Sequence, residues 1–184
     1  MSGIAPSEKN EVNKACDLLE KADAKNNYAL LFFAAKTLAE NGRNQSALKK
    51  YALFPEKSQY TIAVLQNMAE LYAEDGNIDQ ALILSARAYN LAPSMPETQL
   101  CYADKLHKKG DWKTIPDIVK LSSSNPYRRR LEPLWISGME QRIKDCNINT
   151  QREKIRELCR QLLVIAPDNN IALEYLKKLH QMPQ

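Results

Sequence analysis

The sequence predicts an all-α protein built as an α-solenoid, a stack of antiparallel helix hairpins. Apolar residues recur at spacings of three and four along almost the whole chain, as they do on one face of a helix. Only 5 of the 184 residues are Gly and 9 are Pro, so few breaks interrupt this pattern. Three of the glycines, Gly42, Gly76 and Gly110, follow one another at equal intervals. A constant interval of roughly 34 residues indicates a repeat.

We predict ten helices, separated by short connections that contain Gly, Pro or Asn. They are expected near residues 7–24, 28–41, 44–55, 60–74, 78–91, 96–109, 112–123, 131–146, 150–165 and 169–181. Because the connections are only a few residues long, consecutive helices must pack antiparallel as hairpins.

The clearest repeat covers residues 62–95. Large and small apolar residues alternate on its two helices, a Gly separates the helices and a Pro ends the second. The residues that carry this pattern are Leu65, Met68, Ala69, Tyr72, Gly76, Ala81, Ala88 and Pro93. Small residues let two helices approach closely, and large ones fill the groove beside them. The pattern resembles the tetratricopeptide repeat (TPR), although Ser85 stands where that family usually has an aromatic residue.

The resemblance extends along about nine tenths of the chain. Repeat 1 covers residues 28–61. In repeat 3, residues 96–129, Ile115-Pro116 occupies the place of a small residue, so the second helix is expected to begin at Pro116 or to be distorted there. Residues 130–168 resemble a divergent repeat 4, residues 7–24 a lone second helix and residues 169–181 a closing helix. The resemblance therefore implies a right-handed superhelix that forms one domain, residues 1–184.

In such a superhelix the first helices of the repeats line a concave surface. The positions of these helices that are not needed for packing are predicted to face it. They are Phe32, Phe33, Lys36, Glu40, Gln66, Asn67, Glu70, Glu74, Glu97, Cys101, Asp104, His107 and Lys108. We expect this surface to bind a peptide or partner protein, as a scaffold or adaptor does.

Charge is unevenly distributed along the chain. Residues 60–104 contain one Arg and six acids, whereas residues 105–130 contain eight bases and two acids. A basic peptide is therefore the expected ligand of repeats 2 and 3, and Arg128, Arg129 and Arg130 form a candidate patch for an acidic partner. An RNA-binding helical-repeat protein is the alternative, but basic residues do not recur once per repeat, which argues against nucleic acid.

The sequence contains no pattern typical of catalysis. His107 and His180 are the two histidines, and neither lies at a metal-ligand spacing. No phosphate-binding loop, dinucleotide fingerprint or nucleophile motif is present. Cys16, Cys101, Cys146 and Cys159 form no CxxC pair and are interpreted as structural thiols. We therefore expect no catalytic residue, no cofactor and no metal.

The compartment and the assembly are predicted from other features of the sequence. The longest apolar run, residues 29–35, is too short to span a membrane, and the first residues do not form a secretory signal. A cytoplasmic protein is expected, or a periplasmic or envelope-associated one if the sequence comes from a longer chain. In that case the array is expected to be a regulatory or substrate-presenting arm of a larger enzyme or of a bacterial envelope or polysaccharide-export assembly. The terminal helices are also candidates for homo-oligomer contacts.

Overall fold

The structure is a computed structural model in which residues 6–21 and 27–182 are described. This part of the chain forms ten helices and contains no strand, so the all-α prediction is confirmed. The helices are α1 (Pro6–Lys21), α2 (Tyr28–Glu40), α3 (Asn44–Tyr51), α4 (Thr61–Glu74), α5 (Ile78–Leu91), α6 (Pro96–Lys109), α7 (Ile115–Ile118), α8 (Arg128–Lys144), α9 (Arg152–Ile165) and α10 (Asn170–Gln181). None of the described helices has an apolar stretch long enough to cross a lipid bilayer.

Most helix ends agree with the sequence prediction. Helices α5 and α6 have the predicted bounds, whereas α3 ends at Tyr51, four residues early. Helix α8 begins at Arg128, three residues before the predicted start. The last predicted residues of the first helix, 22–24, lie outside the described residues.

The predicted helix at 112–123 is wrong in length, because only Ile115–Ile118 are helical. Val119 has extended backbone angles, with φ −94° and ψ 126°. The segment that follows, Ser-Ser-Ser-Asn-Pro at residues 122–126, is poor in helix formers, and a Pro disfavours helical geometry in the residue before it. The buried side chain of Gln99 fixes this segment, since it accepts a hydrogen bond from the Lys120 N–H (3.1 Å) and donates one to the Pro93 carbonyl (2.8 Å).

The chain divides into two compact units, Met1–Ala92 and Pro93–Gln184. In the first unit α1 packs on α2, α2 on α3, and α4 on α2, α3 and α5. Its core consists of apolar side chains from α1 to α4, which are Cys16, Ala35, Leu38, Ala47, Leu48, Tyr51, Val64 and Leu71. Arg43 ties α1 to the turn after α2 through Asp17 (3.3 Å) and Glu20 (3.4 Å).

In the second unit α6 and α7 pack on α8, α8 packs on α9, and α10 packs on α8 and α9. The core lies between the last three helices and consists of Met139, Ile143, Ile155, Cys159, Leu162, Ala172 and Leu179. Buried Asn125 closes the segment between α7 and α8, because its amide donates to the Lys120 carbonyl (3.1 Å) and accepts from the Tyr127 N–H (2.9 Å).

The three equally spaced glycines end α2, α4 and α6 in the same way. Their φ angles are 74° at Gly42, 80° at Gly76 and 83° at Gly110, in the left-handed region that glycine adopts at little cost. At each corner the N–H of the residue after the glycine donates to a carbonyl five residues earlier. The pairs are Arg43 to Leu38 (2.8 Å), Asn77 to Tyr72 (2.8 Å) and Asp111 to Leu106 (2.9 Å). This is the Schellman motif, and the sequence spacing marks each occurrence.

Candidate peptide-binding surface

Helices α2 and α4 lie side by side in the first unit and run parallel. Near their first residues, the Phe32 ring stacks on Tyr60, with 5.4 Å between ring centroids. Near their last residues, the Asn44 amide at the start of α3 donates to the Glu74 carboxylate at 3.3 Å. Helices α2 and α4 are therefore in contact near both of their ends.

On α2 the predicted surface residues separate into two groups. Phe33 is 61% exposed, and the exposed side chains of Lys36 and Glu40 form an ion pair at 3.8 Å. Phe32 is half-buried instead and belongs to an aromatic cluster, where it lies 6.0 Å from Tyr51 between ring centroids. Of these two predicted surface residues, Phe33 is exposed and Phe32 is packed in the cluster.

On α4 the two carboxylates, Glu70 and Glu74, are exposed, whereas Gln66 and Asn67 are half-buried. The Asn67 amide donates to the Ala63 carbonyl one turn earlier (2.8 Å), which holds the side chain along its own helix. We call the accessible set on both helices the α2–α4 surface. It consists of the exposed Phe33, Lys36, Glu40, Glu70 and Glu74 and the half-buried Gln66, and its three carboxylates outnumber its one ammonium group.

An aromatic cluster packs around Phe32 on α2. Its rings come from α2, α3 and the segment before α4, and they are Tyr28, Phe32, Tyr51, Phe54 and Tyr60. Such edge-to-face and stacked contacts are worth about 0.5–1.5 kcal/mol per pair beyond the area that they bury. This cluster was not predicted from the sequence, although the aromatic residues at 28, 32, 51, 54 and 60 are its signal there.

Tyr51 is the most buried ring of the cluster, at 1% exposure. Its hydroxyl has no hydrogen-bond partner among the described residues. Burial, together with the negative charge of Glu40, raises the pKa of Tyr51 to about 12. The hydroxyl therefore stays protonated and uncharged at neutral pH.

The remaining predicted groove residues lie on α6 in the second unit and are largely engaged there. Cys101 is only 7% exposed, so its predicted place on a surface is wrong: the small side chain packs inside. His107 lies edge-on against Trp112, with 4.2 Å between ring centroids. Glu97 and Lys108 are exposed.

Asp104 on α6 is held by two ammonium groups, Lys105 at 3.1 Å and Lys108 at 3.4 Å. Burial by itself would raise the pKa of Asp104, but the hydrogen bonds and charges of Lys105 and Lys108 outweigh it and lower that pKa below its ordinary value. The carboxylate is thus ionised at neutral pH and already partnered within α6.

The predicted basic patch, Arg128 to Arg130, lies at the start of α8. Arg128 forms an ion pair with Glu132 one turn later, at 3.1 Å. Arg129 and Arg130 are exposed, and within the described part of the chain no acidic partner is recorded for either. The two guanidinium groups therefore remain available at this end of the helix.

Within the described ranges, no group of three or more His, Cys, Asp or Glu side chains is arranged to hold a metal ion. No protein-family model matches the chain, and no curated protein is significantly similar to it in sequence.

Proposed function

We propose that the chain is a helical-repeat scaffold of the TPR type that binds a peptide or partner protein. The observation that carries the proposal is the recurrence of one corner geometry at Gly42, Gly76 and Gly110, at the spacing that this repeat family uses. A hairpin by itself leaves an apolar face uncovered, and stacking on a neighbour covers it. The open sides of the first helices then form a surface for a ligand.

The α2–α4 surface is the proposed binding site. Small buried residues, Ala34, Ala35 and Ala69, are 0–1% exposed and lie on the packed faces of the two helices. Since packing uses those faces, the opposite faces point to solvent, where a ligand can reach them. The aromatic cluster packs Phe32 of α2 against Tyr51 and Tyr60 and so holds α2 in place, and little ordering is needed when a ligand binds.

The surface favours a ligand that combines one apolar side chain with basic residues. Phe33 is the apolar contact, and covering an exposed aromatic ring of this kind contributes about 1–2 kcal/mol. Each exposed ion pair with Glu40, Glu70 or Glu74 contributes no more than about 1 kcal/mol. Phe33 is therefore the expected anchor, and the carboxylates select a basic partner.

The test compares Phe33→Ala with a matched control. Ile83 on α5 is 62% exposed, nearly the same as Phe33, and lies outside the α2–α4 surface. The tagged full chain and the variants Phe33→Ala, Ile83→Ala and Glu70→Lys are used to capture proteins from cells that make the chain, and the captured proteins are quantified by mass spectrometry.

A partner of the α2–α4 surface is lost with Phe33→Ala and Glu70→Lys and is retained with Ile83→Ala. If the same proteins are recovered with all three variants, this surface is not the binding site. Equal loss with Phe33→Ala and Ile83→Ala would indicate nonspecific apolar adhesion instead.

A further inference from the structure

A charged cleft of ≈540 Å³ opens in the second unit between the turn before α7, the end of α8 and the start of α9. Among its lining residues are five charged side chains of both signs and one apolar side chain. These six residues are Lys113, Asp117, Arg142, Asp145, Lys154 and Leu158. None of them belongs to the α2–α4 surface or was predicted as a site residue.

Two ion pairs hold the walls of the cleft together. The Lys113 ammonium contacts the Asp145 carboxylate, and the Arg142 guanidinium contacts Asp117. The Arg142 Nε–H also donates to the backbone carbonyl of Lys113 at 2.7 Å. Both carboxylates therefore already have a cation, and the Arg142 fork is held in a fixed orientation.

Lys154 supplies a positive charge that these pairs do not balance. It lies in the first turn of α9 and is exposed, and across residues 6–21 and 27–182 no acidic partner is recorded for it. Other basic residues of the same helix are paired, Arg156 with Glu153 and Arg160 with Glu157. The cleft thus has three cations against two carboxylates.

The second unit as a whole also carries a net positive charge. Residues 93–184 contain 16 Lys and Arg against 11 Asp and Glu, whereas residues 1–92 contain 10 against 11. A net charge of +5 attracts acidic partners over about one Debye length, roughly 10 Å at moderate salt.

We propose that this cleft binds an acidic peptide segment, with a carboxylate on the Lys154 ammonium and the aliphatic stem of the acidic residue on Leu158. A free small anion would gain little more than one solvent-exposed ion pair, which is weak in water. A peptide adds contacts along a cleft that has room for several side chains. The proposal does not depend on the α2–α4 surface, because none of the residues involved is shared.

The experiment measures binding of a fluorescein-labelled peptide of alternating Glu and Ala to the full chain by fluorescence anisotropy at low salt. Lys154→Glu is the test variant. Lys177→Glu on α10 is the matched control, since it changes an exposed lysine outside the lining of the cleft by the same charge. Circular dichroism melting shows whether both variants remain folded.

We expect Lys154→Glu to weaken binding about tenfold, Lys177→Glu to weaken it less than about twofold and Lys154→Arg to preserve it. Equal weakening by the two Glu variants would overturn the proposal, because binding would then depend on net charge alone. Displacement of the peptide by millimolar phosphate would assign the cleft to a small anion, and tighter binding of polyuridylate with the same Lys154 dependence would assign it to RNA. We expect Phe33→Ala to leave binding of this peptide unchanged. The proposal for the cleft and the proposal for the α2–α4 surface can therefore be contradicted independently of each other.

Discussion

Gly138 of α8 lies directly against Pro116 of α7. A Cβ atom placed on Gly138 would lie 2.7 Å from the Pro116 Cδ and 2.5 Å from the backbone oxygen of Trp112. Real Cβ atoms do not approach other heavy atoms so closely, so the absence of a side chain lets the turn before α7 and α8 come together. The turn before α7 and helix α8 also carry Lys113 and Arg142, which both line the charged cleft.

Gly138→Ala is therefore expected to destabilise the protein. Within a helix Ala is favoured over Gly by up to about 1 kcal/mol, so helix propensity alone predicts that the substitution increases the free energy of unfolding. The clash with a backbone oxygen and a rigid proline ring is expected to outweigh this effect and to lower the free energy of unfolding by about 1–3 kcal/mol. Urea denaturation measures the difference, and a variant more stable than the parent chain would show that the two segments separate without cost.

Gly76→Ala is expected to destabilise the protein for another reason. No atom lies within 4 Å of a Cβ at this position, so the substitution causes no clash, but φ is 80°. A residue with a Cβ is strained in the left-handed conformation by about 1–2 kcal/mol, and Asn tolerates that conformation better than other residues. Gly76→Asn should therefore be more stable than Gly76→Ala in the same denaturation series. If Gly76→Ala were as stable as the parent chain, a residue with a Cβ would not be strained at this position.

Tyr51→Phe is expected to leave the free energy of unfolding at pH 7 unchanged or higher. The substitution removes a buried hydroxyl for which no described residue is a hydrogen-bond partner, and it keeps the ring in the aromatic cluster. A buried polar group without a partner costs free energy, so its loss is not destabilising. The control is Tyr51→Ala, which leaves a cavity and is expected to cost about 3–5 kcal/mol.

The same residue makes stability fall at alkaline pH. Burial and Glu40 raise the folded pKa of Tyr51 to about 12, above its ordinary value of 10.0. Between these values the unfolded chain releases the proton and the folded chain keeps it, so rising pH favours unfolding. The loss begins near pH 10 and amounts to no more than about 2–3 kcal/mol by pH 12. The difference between parent and Tyr51→Phe melting curves isolates this effect, and a difference that does not vary with pH would contradict it.

Thiol labelling of the folded chain is expected to modify Cys146 first. Cys146 is half-buried, whereas Cys16, Cys101 and Cys159 are 0–7% exposed. Burial, with a smaller contribution from Cys146, also raises the pKa of Cys159 to about 11, so little thiolate exists there at pH 8. Maleimide labelling followed by peptide mass spectrometry measures the order, and denaturant provides the control in which all four react. Early labelling of Cys159 would mean that the α8–α9 packing opens readily.

The helices other than α7, and the glycine corners, are encoded in local sequence. Both depend on interactions between residues close in the chain: apolar residues every three or four positions, and glycines that adopt a positive φ where a helix must end. Hence α5 and α6 have their predicted bounds, and the equally spaced glycines share one geometry.

Tertiary packing, in contrast, determines which of two side chains with similar local patterns is buried and which stays exposed. Phe32 and Phe33 are adjacent apolar residues, yet one enters the aromatic cluster and the other remains exposed, because Tyr60 and Phe54 approach α2 from one side. The short α7 and the charged cleft likewise depend on contacts between residues far apart in the chain, such as Gln99 with Lys120 and Arg142 with Asp117. Such contacts form only when helices distant in the chain are packed together, and no local periodicity encodes them.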